Sequence, residues 1–134
     1  MRASQMAPAD SADTLIIEIG QALLADRNYR TNDWSAIALV ATLDDGRKSL
    51  FGYSYLPDGS WQATTPDDAR RVINLLRDLR EATQVSGKGP WRQCLVQVKR
   101  ADMKLNLMFE YDDPQRWSVT PANMTEMVEA LSPR

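Results

Sequence analysis

The sequence predicts a single α+β domain in which helices pack on one antiparallel sheet of about five strands. At 134 residues the chain has room for one hydrophobic core. Its hydrophobic and charged fractions, 43% and 25%, are those of an ordinary globular protein. Alternating and helical segments separated by turn signals give the order α-β-β-β-α-β-β-α. We expect residues 1–11 to form a disordered tail and residues 12–134 to form the domain.

The first helix is predicted from Asp13 to Arg27. Its apolar residues recur at three- and four-residue spacing, namely Leu15, Ile16, Ile19 and Leu23. Asp10 or Ser11 is the expected N-cap. Gly20 lies inside the helix, where glycine lowers stability by up to about 1 kcal/mol relative to alanine. We therefore expect a close packing contact at Gly20.

Three strands are predicted next. The segment 34–43 is short and rich in β-branched residues. Residues 44–46 (Asp-Asp-Gly) are a turn signal, and residues 48–55 alternate, with aromatic residues on one face. Together they predict a β-hairpin. A second Asp-Gly pair at residues 58–59 reverses the chain into a short strand at residues 61–64.

The second half of the chain repeats this pattern of helix and hairpin. Thr65-Pro66 is the expected start of a helix. Its buried stripe is predicted to be Ala69, Val72, Ile73, Leu76 and Leu79. After a loop at residues 86–90, residues 91–100 and 103–111 alternate as a second hairpin. Thr120-Pro121 then starts the last helix, whose inward side is predicted to be Met124, Met127, Val128 and Leu131.

Most residue types used in catalysis are missing. The chain has no histidine, which excludes histidine bases, histidine metal sites and Ser-His or Cys-His pairs. The one cysteine, Cys94, excludes a cysteine-built zinc site. Gly87-Lys88-Gly89 follows a helix instead of joining a strand to a helix, so we interpret it as a plain connection and not as a phosphate loop. We therefore predict a protein that is not an enzyme and uses no cofactor or metal.

Charge and hydropathy argue against nucleic acid and membrane partners. The net charge of −2 gives no general attraction to nucleic acid. The arginines of the middle helix lie four residues from acidic residues, as in the pairs Asp67/Arg71 and Arg77/Glu81. At this spacing side chains of a helix form ion pairs, which accounts for the arginines without a nucleic-acid partner. No segment approaches the roughly 20 apolar residues needed to span a bilayer. The first residues lack the apolar stretch of a secretory signal, so we expect a cytoplasmic protein.

One acidic cluster is not explained by turn or helix-cap rules. Glu110, Asp112 and Asp113 surround Tyr111 at the end of a predicted strand. Alternation places Glu110 and Asp112 on the face opposite Tyr111. The cluster is either a solvated strand end or an acidic patch that mimics a phosphate backbone or covers a basic active site in a partner.

Further candidates for an interface are Trp61 and the pair Asp44 and Asp45. Tryptophan is enriched where proteins bind one another, and Trp61 lies between a turn and a short strand. We expect it to be the exposed tryptophan of the four. Asp44 and Asp45 are first explained by the hairpin turn, and we add them as acidic contact candidates.

The second half of the chain resembles a known family. The residues that carry the resemblance are Gly89-Pro90-Trp91-Arg92-Gln93-Cys94, Phe109-Glu110-Tyr111-Asp112-Asp113-Pro114, Arg116-Trp117 and Thr120-Pro121-Ala122-Asn123. With these segments the sequence resembles the YezG-like immunity proteins, over residues 89–131. Members of that family are antitoxins of polymorphic toxin and contact-dependent growth inhibition systems, and they often protect against nucleases.

The resemblance implies an immunity protein that binds and occludes a cognate toxin domain, with a basic nuclease as the expected partner. One alternative is a chaperone of the type III secretion kind, which has a similar element order and holds an effector segment as a dimer. A dimer with large apolar patches would favour the chaperone, and a monomer in a one-to-one toxin complex would favour immunity. A second alternative is a hydrolase or lyase based on carboxylates.

Overall fold

The computed structural model describes residues 8–30, 33–44, 46–84 and 89–133. In chain order the elements are α1 (Pro8–Ala25), α2 (Arg27–Arg30), β1 (Ala36–Asp44), β2 (Arg47–Tyr55), β3 (Trp61–Ala63), α3 (Ala69–Ala82), β4 (Gln93–Lys99), β5 (Lys104–Glu110) and α4 (Met124–Leu131). The strands form one sheet in the order β3-β2-β1-β4-β5, and each neighbouring pair is antiparallel. The predicted fold class and element order are confirmed, with the short helix α2 as an addition.

Strand β1 is the centre of the sheet and is buried on both faces. Ile37 and Leu39 belong to a core that includes residues of α1 and α3, whereas Ala38 and Val40 belong to a core that includes residues of α4. A strand covered on both sides has no polar face, which explains why this segment is apolar almost throughout instead of alternating.

The core on the α1 and α3 side is closed by two buried tryptophans, Trp34 and Trp91. The Trp34 Nε1 donates to the carbonyl of Tyr29 at 2.8 Å. On the other face, side chains of the sheet hold α4. The Tyr55 hydroxyl donates to the Val128 carbonyl, and Gln97 Nε2 donates to the Leu131 carbonyl at 2.7 Å. These contacts satisfy carbonyl groups in the last turns of α4.

Each long helix begins at a different residue from the one predicted. Helix α1 begins at Pro8, so Asp10 and Ser11 lie inside it and are not its caps, and the expected tail 1–11 overlaps the helix; residues 1–7 lie outside the described residues. Helix α3 is capped by Asp68, whose Oδ1 accepts the Arg71 N–H at 3.2 Å. Helix α4 has Asn123 as its N-cap residue, although the side chain accepts from Thr120 N–H outside the helix.

Asp26 explains why α3 begins late. Its Oδ1 accepts the N–H groups of Asn28 at 3.0 Å and Asp67 at 2.8 Å, and its Oδ2 accepts the N–H of Asp68 at 3.0 Å. Residues 66–68 are thus held against the end of α1, and α3 begins after them at Ala69. Burial alone would raise the pKa of Asp26, but the three backbone hydrogen bonds outweigh burial and lower it.

The close packing expected at Gly20 is not found. A Cβ atom added there would lie 3.8 Å from Leu105 Cδ2, which is an ordinary van der Waals distance. Gly52 is the closely packed glycine, since a Cβ at that position would lie 2.4 Å from the Ala38 carbonyl oxygen. Within the described ranges, no helix combines the length and apolar character that crossing a membrane requires.

Candidate interaction surface

Trp61 and Glu110, two of the residues predicted for an interface, lie at opposite corners of the sheet. Trp61 is in the edge strand β3 and pairs with Tyr55. Glu110 ends the other edge strand, β5, at the far end of the sheet. From strand spacing and rise per residue, the two positions are roughly 25–30 Å apart. The predicted residues therefore do not form one compact site.

Glu110 is mainly used within its own loop. Its Oε2 accepts the N–H groups of Asp112 and Asp113, each at 3.0 Å, and its Oε1 lies 2.8 Å from Arg116 Nη1. Hydrogen bonds from Asp113 N–H, the Arg116 guanidinium and Asp112 N–H lower the pKa of Glu110. Glu110 is thus neither a solvated strand end nor a free acidic contact, because its side chain is only 14% exposed, whereas the side chains of Asp112 and Asp113 remain exposed.

Asp44 lies at the same end of the sheet as Glu110 and is also close to an arginine. Its Oδ1 is 3.8 Å from Arg92 Nε, and its side chain is 12% exposed. Asp45 lies outside the described residues. Because Asp44 and Glu110 each have a guanidinium beside them, this end of the sheet is much less acidic than the sequence suggested.

Trp61 is the exposed tryptophan, as predicted, with 42% of its surface accessible while the other three are buried. Its ring is nevertheless held in place. It packs edge-on against Tyr53 with ring centroids 5.2 Å apart and planes at 87°, and Phe51 supports Tyr53 in the same manner at 6.2 Å. An exposed aromatic side chain with a fixed orientation loses little entropy when a partner binds it.

A groove of about 470 Å³ separates Trp61 from α4. We call it the Trp61 groove; its lining residues are Ser35, Tyr55, Leu56, Gly59, Trp61, Thr125, Val128, Glu129 and Ser132. Tyr55 pairs with Trp61 in the sheet, and its hydroxyl donates to the Val128 carbonyl of α4. The two walls are therefore connected through one side chain, and the width of the groove is fixed by the fold.

One carboxylate lines the Trp61 groove, and a second precedes a lining residue in the chain. Glu129 is exposed on α4, a helix that contains two glutamates and no basic residue. Asp58 precedes the lining residue Gly59 in a tight turn, where its Oδ1 accepts the hydroxyl and N–H of Ser60 at 2.5 and 2.9 Å. The hydrogen bonds from Ser60 lower the pKa of Asp58. An aromatic ring beside carboxylates suits a basic partner.

The sequence interpretation missed Asp58 and Glu129. Asp58 was explained completely by its turn, and Glu129 by the exposed face of a helix, so neither residue stood out. Each does serve that structural role. One sequence signal could have indicated the site. The Asp58-Gly59 turn lies close to Trp61 in the chain, so a carboxylate and an exposed aromatic residue are found at the same end of one strand.

Two kinds of reactive site have little support in the described part of the chain. No group of three or more His, Cys, Asp or Glu residues there is arranged to hold a metal ion. Cys94 is completely buried, and burial raises the pKa of its thiol, so it is a poor nucleophile. Gly87 and Lys88 of the predicted loop lie outside the described residues.

Comparison with known proteins gave no assignment: no protein-family model matches the chain, and no curated protein matches it either.

Proposed function

We propose that this chain is an immunity protein that binds a cognate bacterial toxin domain, an expected basic nuclease, and neutralises it by occlusion in the cytoplasm. The observation that carries the proposal is the Trp61 groove, in which an exposed tryptophan packed on Tyr53 and the carboxylate of Glu129 line the same cavity. Such a surface offers an aromatic anchor and complementary charge for a basic protein. The resemblance of residues 89–131 to the YezG-like family supports the same function from the sequence.

The anchor in this proposal is Trp61 and not the Glu110 cluster favoured by the sequence. A lysine or arginine of the partner can enter the groove, stack on the indole ring and approach the carboxylates at the rim. Asp112 and Asp113 can add a second acidic contact at the far corner. Because that corner is roughly 25–30 Å away, a partner touching both would have to extend across the full width of the sheet.

A growth-rescue experiment tests the proposal. The chain is co-expressed with a panel of basic bacterial nuclease toxin domains, and the domain whose toxicity is relieved is used for binding measurements by calorimetry. We expect Trp61→Ala to weaken that complex by about 30-fold or more, which is typical of a central aromatic anchor. Met103→Ala is the matched control, because Met103 is also an exposed apolar residue, with 49% of its surface accessible.

The charged rim is tested separately. Asp58→Asn and Glu129→Gln should each slow association and reduce its dependence on salt, since rim charges act mainly on the association rate. If the Trp61 and rim variants bind as well as the unmodified chain while Asp112→Asn does not, the interface is at the Glu110 corner. If no toxin domain in the panel is neutralised, the proposed function has no support.

A further inference from the structure

Strand β5 is a long edge strand whose middle is unprotected. Its seven residues pair with β4 in one continuous register without a bulge, and within the described residues it has no partner on its other side. Residues 105–109 (Leu-Asn-Leu-Met-Phe) contain no charge and no proline. Proteins usually protect such an edge against pairing with another chain. By contrast, the end of β2 that β3 leaves open carries Arg47 and Lys48.

The hydrogen-bond pattern shows which backbone groups of β5 point outward. Leu43 N–H donates to the Arg92 carbonyl at 3.0 Å and Arg100 N–H donates to the Ser35 carbonyl at 2.9 Å, so Cys94, Val96 and Val98 direct their backbone groups toward β1. The residues of β4 between and beside them direct theirs toward β5, and Gln93 among these pairs with Glu110. Alternation along an antiparallel strand then directs the backbone groups of Glu110 and every second residue before it toward β4. The residues whose N–H and C=O groups point away from the sheet are therefore Leu105, Leu107 and Phe109.

We propose that β5 pairs antiparallel with β5 of a second copy of this chain, about a two-fold axis through Leu107. In this register Lys104 of each copy lies opposite Glu110 of the other, and Leu105 lies opposite Phe109. The outward N–H and C=O groups of the three residues in each copy then bond across the axis. In this register odd-numbered residues of one copy pair with odd-numbered residues of the other, and even-numbered with even-numbered. The apolar faces of both copies therefore stay on the same side of the joined sheet.

The opposite charges at the two ends of β5 favour a second copy over an unrelated extended segment. Lys104 lies beside Glu110, which also keeps its own Arg116, only when the strand meets itself about its own centre. On the neighbouring helix α1, Ile17 is an exposed apolar residue. It is 61% exposed and lies one helical turn from Gly20, which faces Leu105. Leu105, Leu107 and Phe109 are themselves only half-buried, which leaves apolar surface for the second copy to cover.

This pairing leaves the Trp61 groove accessible, because β3 and β5 are opposite edges of the sheet. The proposal is thus independent of the proposed function, and a dimer would present two grooves on its outer sides.

Sedimentation equilibrium of the full chain measures the dimer directly, with circular dichroism as the check on folding. We expect Lys104→Glu to weaken the dimer by about tenfold or more, because a glutamate then faces Glu110 at both ends of the joined strands. Lys48→Glu makes the same charge change on an exposed lysine of β2 and should leave the dimer unchanged. A monomer of 15.1 kDa at every concentration overturns the proposal.

A cross-linking experiment places the axis. Opposed Cα atoms of a hydrogen-bonded antiparallel pair are about 5.5 Å apart, which is within reach of a disulfide. Leu107→Cys should therefore form a disulfide-linked dimer under mild oxidation, whereas Ser49→Cys, an exposed position in β2, should remain monomeric on a non-reducing gel. A dimer that is unaffected by Lys104→Glu and that does not cross-link through residue 107 uses another surface and also overturns the proposal.

Discussion

The Asp26 carboxylate, at the connection between α1 and α2, accepts three backbone N–H groups. Two of them belong to residues 41 and 42 positions further along the chain, and the third belongs to Asn28 close by. Only 9% of the surface of Asp26 is exposed, so water can take the place of its carboxylate as a hydrogen-bond acceptor only if the segment before α3 moves. No local sequence signal identifies this role, because the partner groups are distant and belong to the backbone.

Asp26→Asn should lower the free energy of unfolding by about 2–3 kcal/mol, because hydrogen bonds to a charged acceptor are lost and an N–H group is left facing an amide. Urea denaturation monitored by tryptophan fluorescence measures the change. Asp67→Asn is the control. Its side chain is 54% exposed and lies 4.0 Å from Arg27, and the substitution keeps the backbone N–H that bonds to Asp26. We therefore expect the free energy of unfolding to change by no more than about 0.5 kcal/mol. Equal losses in both variants would contradict the assigned role.

The lowered pKa of Asp26 also predicts how stability changes with pH. A carboxyl group with a folded-state pKa below its ordinary value of 3.8 stabilises the fold at any pH above that value. The stabilisation is lost as the pH falls through the lower folded-state pKa. The difference in unfolding free energy between the unmodified chain and Asp26→Asn should therefore be constant near neutral pH and shrink in acid. A difference that grows below pH 3.8 would contradict the hydrogen-bond assignment.

Exposure of Trp61 was predictable from sequence, but the groove beside it was not. A tryptophan directly after an Asp-Gly turn in a short strand has few neighbours to bury it. The opposite wall belongs to α4, which is more than 60 residues away in the chain, and periodicity along the chain does not say which helix covers which strand. Glu110 was overrated for the converse reason. Its hydrogen bonds to Asp112, Asp113 and Arg116 depend on a loop conformation that spacing alone does not specify.

At the level of elements, periodicity predicted the helices and strands well, although Met124, predicted to face inward from α4, is 40% exposed. Capping rules predicted the starts of the helices poorly. The stripe of α3 and the alternation of β5 depend on side-chain burial, which is regular along each element, whereas β4 is buried on both faces. The two Thr-Pro pairs looked like helix starts because threonine and proline suit those positions. In the structure both helices begin later, and for α3 the cause is the tertiary contact to Asp26.

Helix α1 should become more stable when its glycine is replaced. A Cβ at Gly20 meets Leu105 Cδ2 at 3.8 Å without a clash, so Gly20→Ala should raise the unfolding free energy by up to about 1 kcal/mol. Gly52→Ala is the comparison in the sheet. There the added Cβ would lie 2.4 Å from the Ala38 carbonyl oxygen, and we expect a clear loss of stability. Thermal denaturation of both variants checks the pair; destabilisation by Gly20→Ala would show that α1 packs more tightly than described.

For the whole molecule, the two edges of the sheet bear on the choice between an immunity protein and a secretion chaperone. The chaperone alternative predicts a dimer with large apolar patches. The large exposed hydrophobic residues in the described part of the chain are distributed over several elements, namely Ile17, Trp61, Met103, Met108 and Met124. A dimer through β5 would remove oligomeric state as a distinction between the two functions. Binding of a folded toxin domain, as opposed to an unfolded effector segment, would then decide between them.

Cys94 gives the molecule a built-in chemical reporter of unfolding. The thiol is in the strand next to β1 with no exposed surface, and the chain contains no other cysteine. A thiol reagent can therefore reach it only when the central sheet opens. We expect modification in native buffer to be at least about a thousandfold slower than in urea, given ordinary folding equilibria. Asp26→Asn should accelerate the reaction and Trp61→Ala should not, so one reaction rate separates variants that loosen the core from variants that alter only the surface.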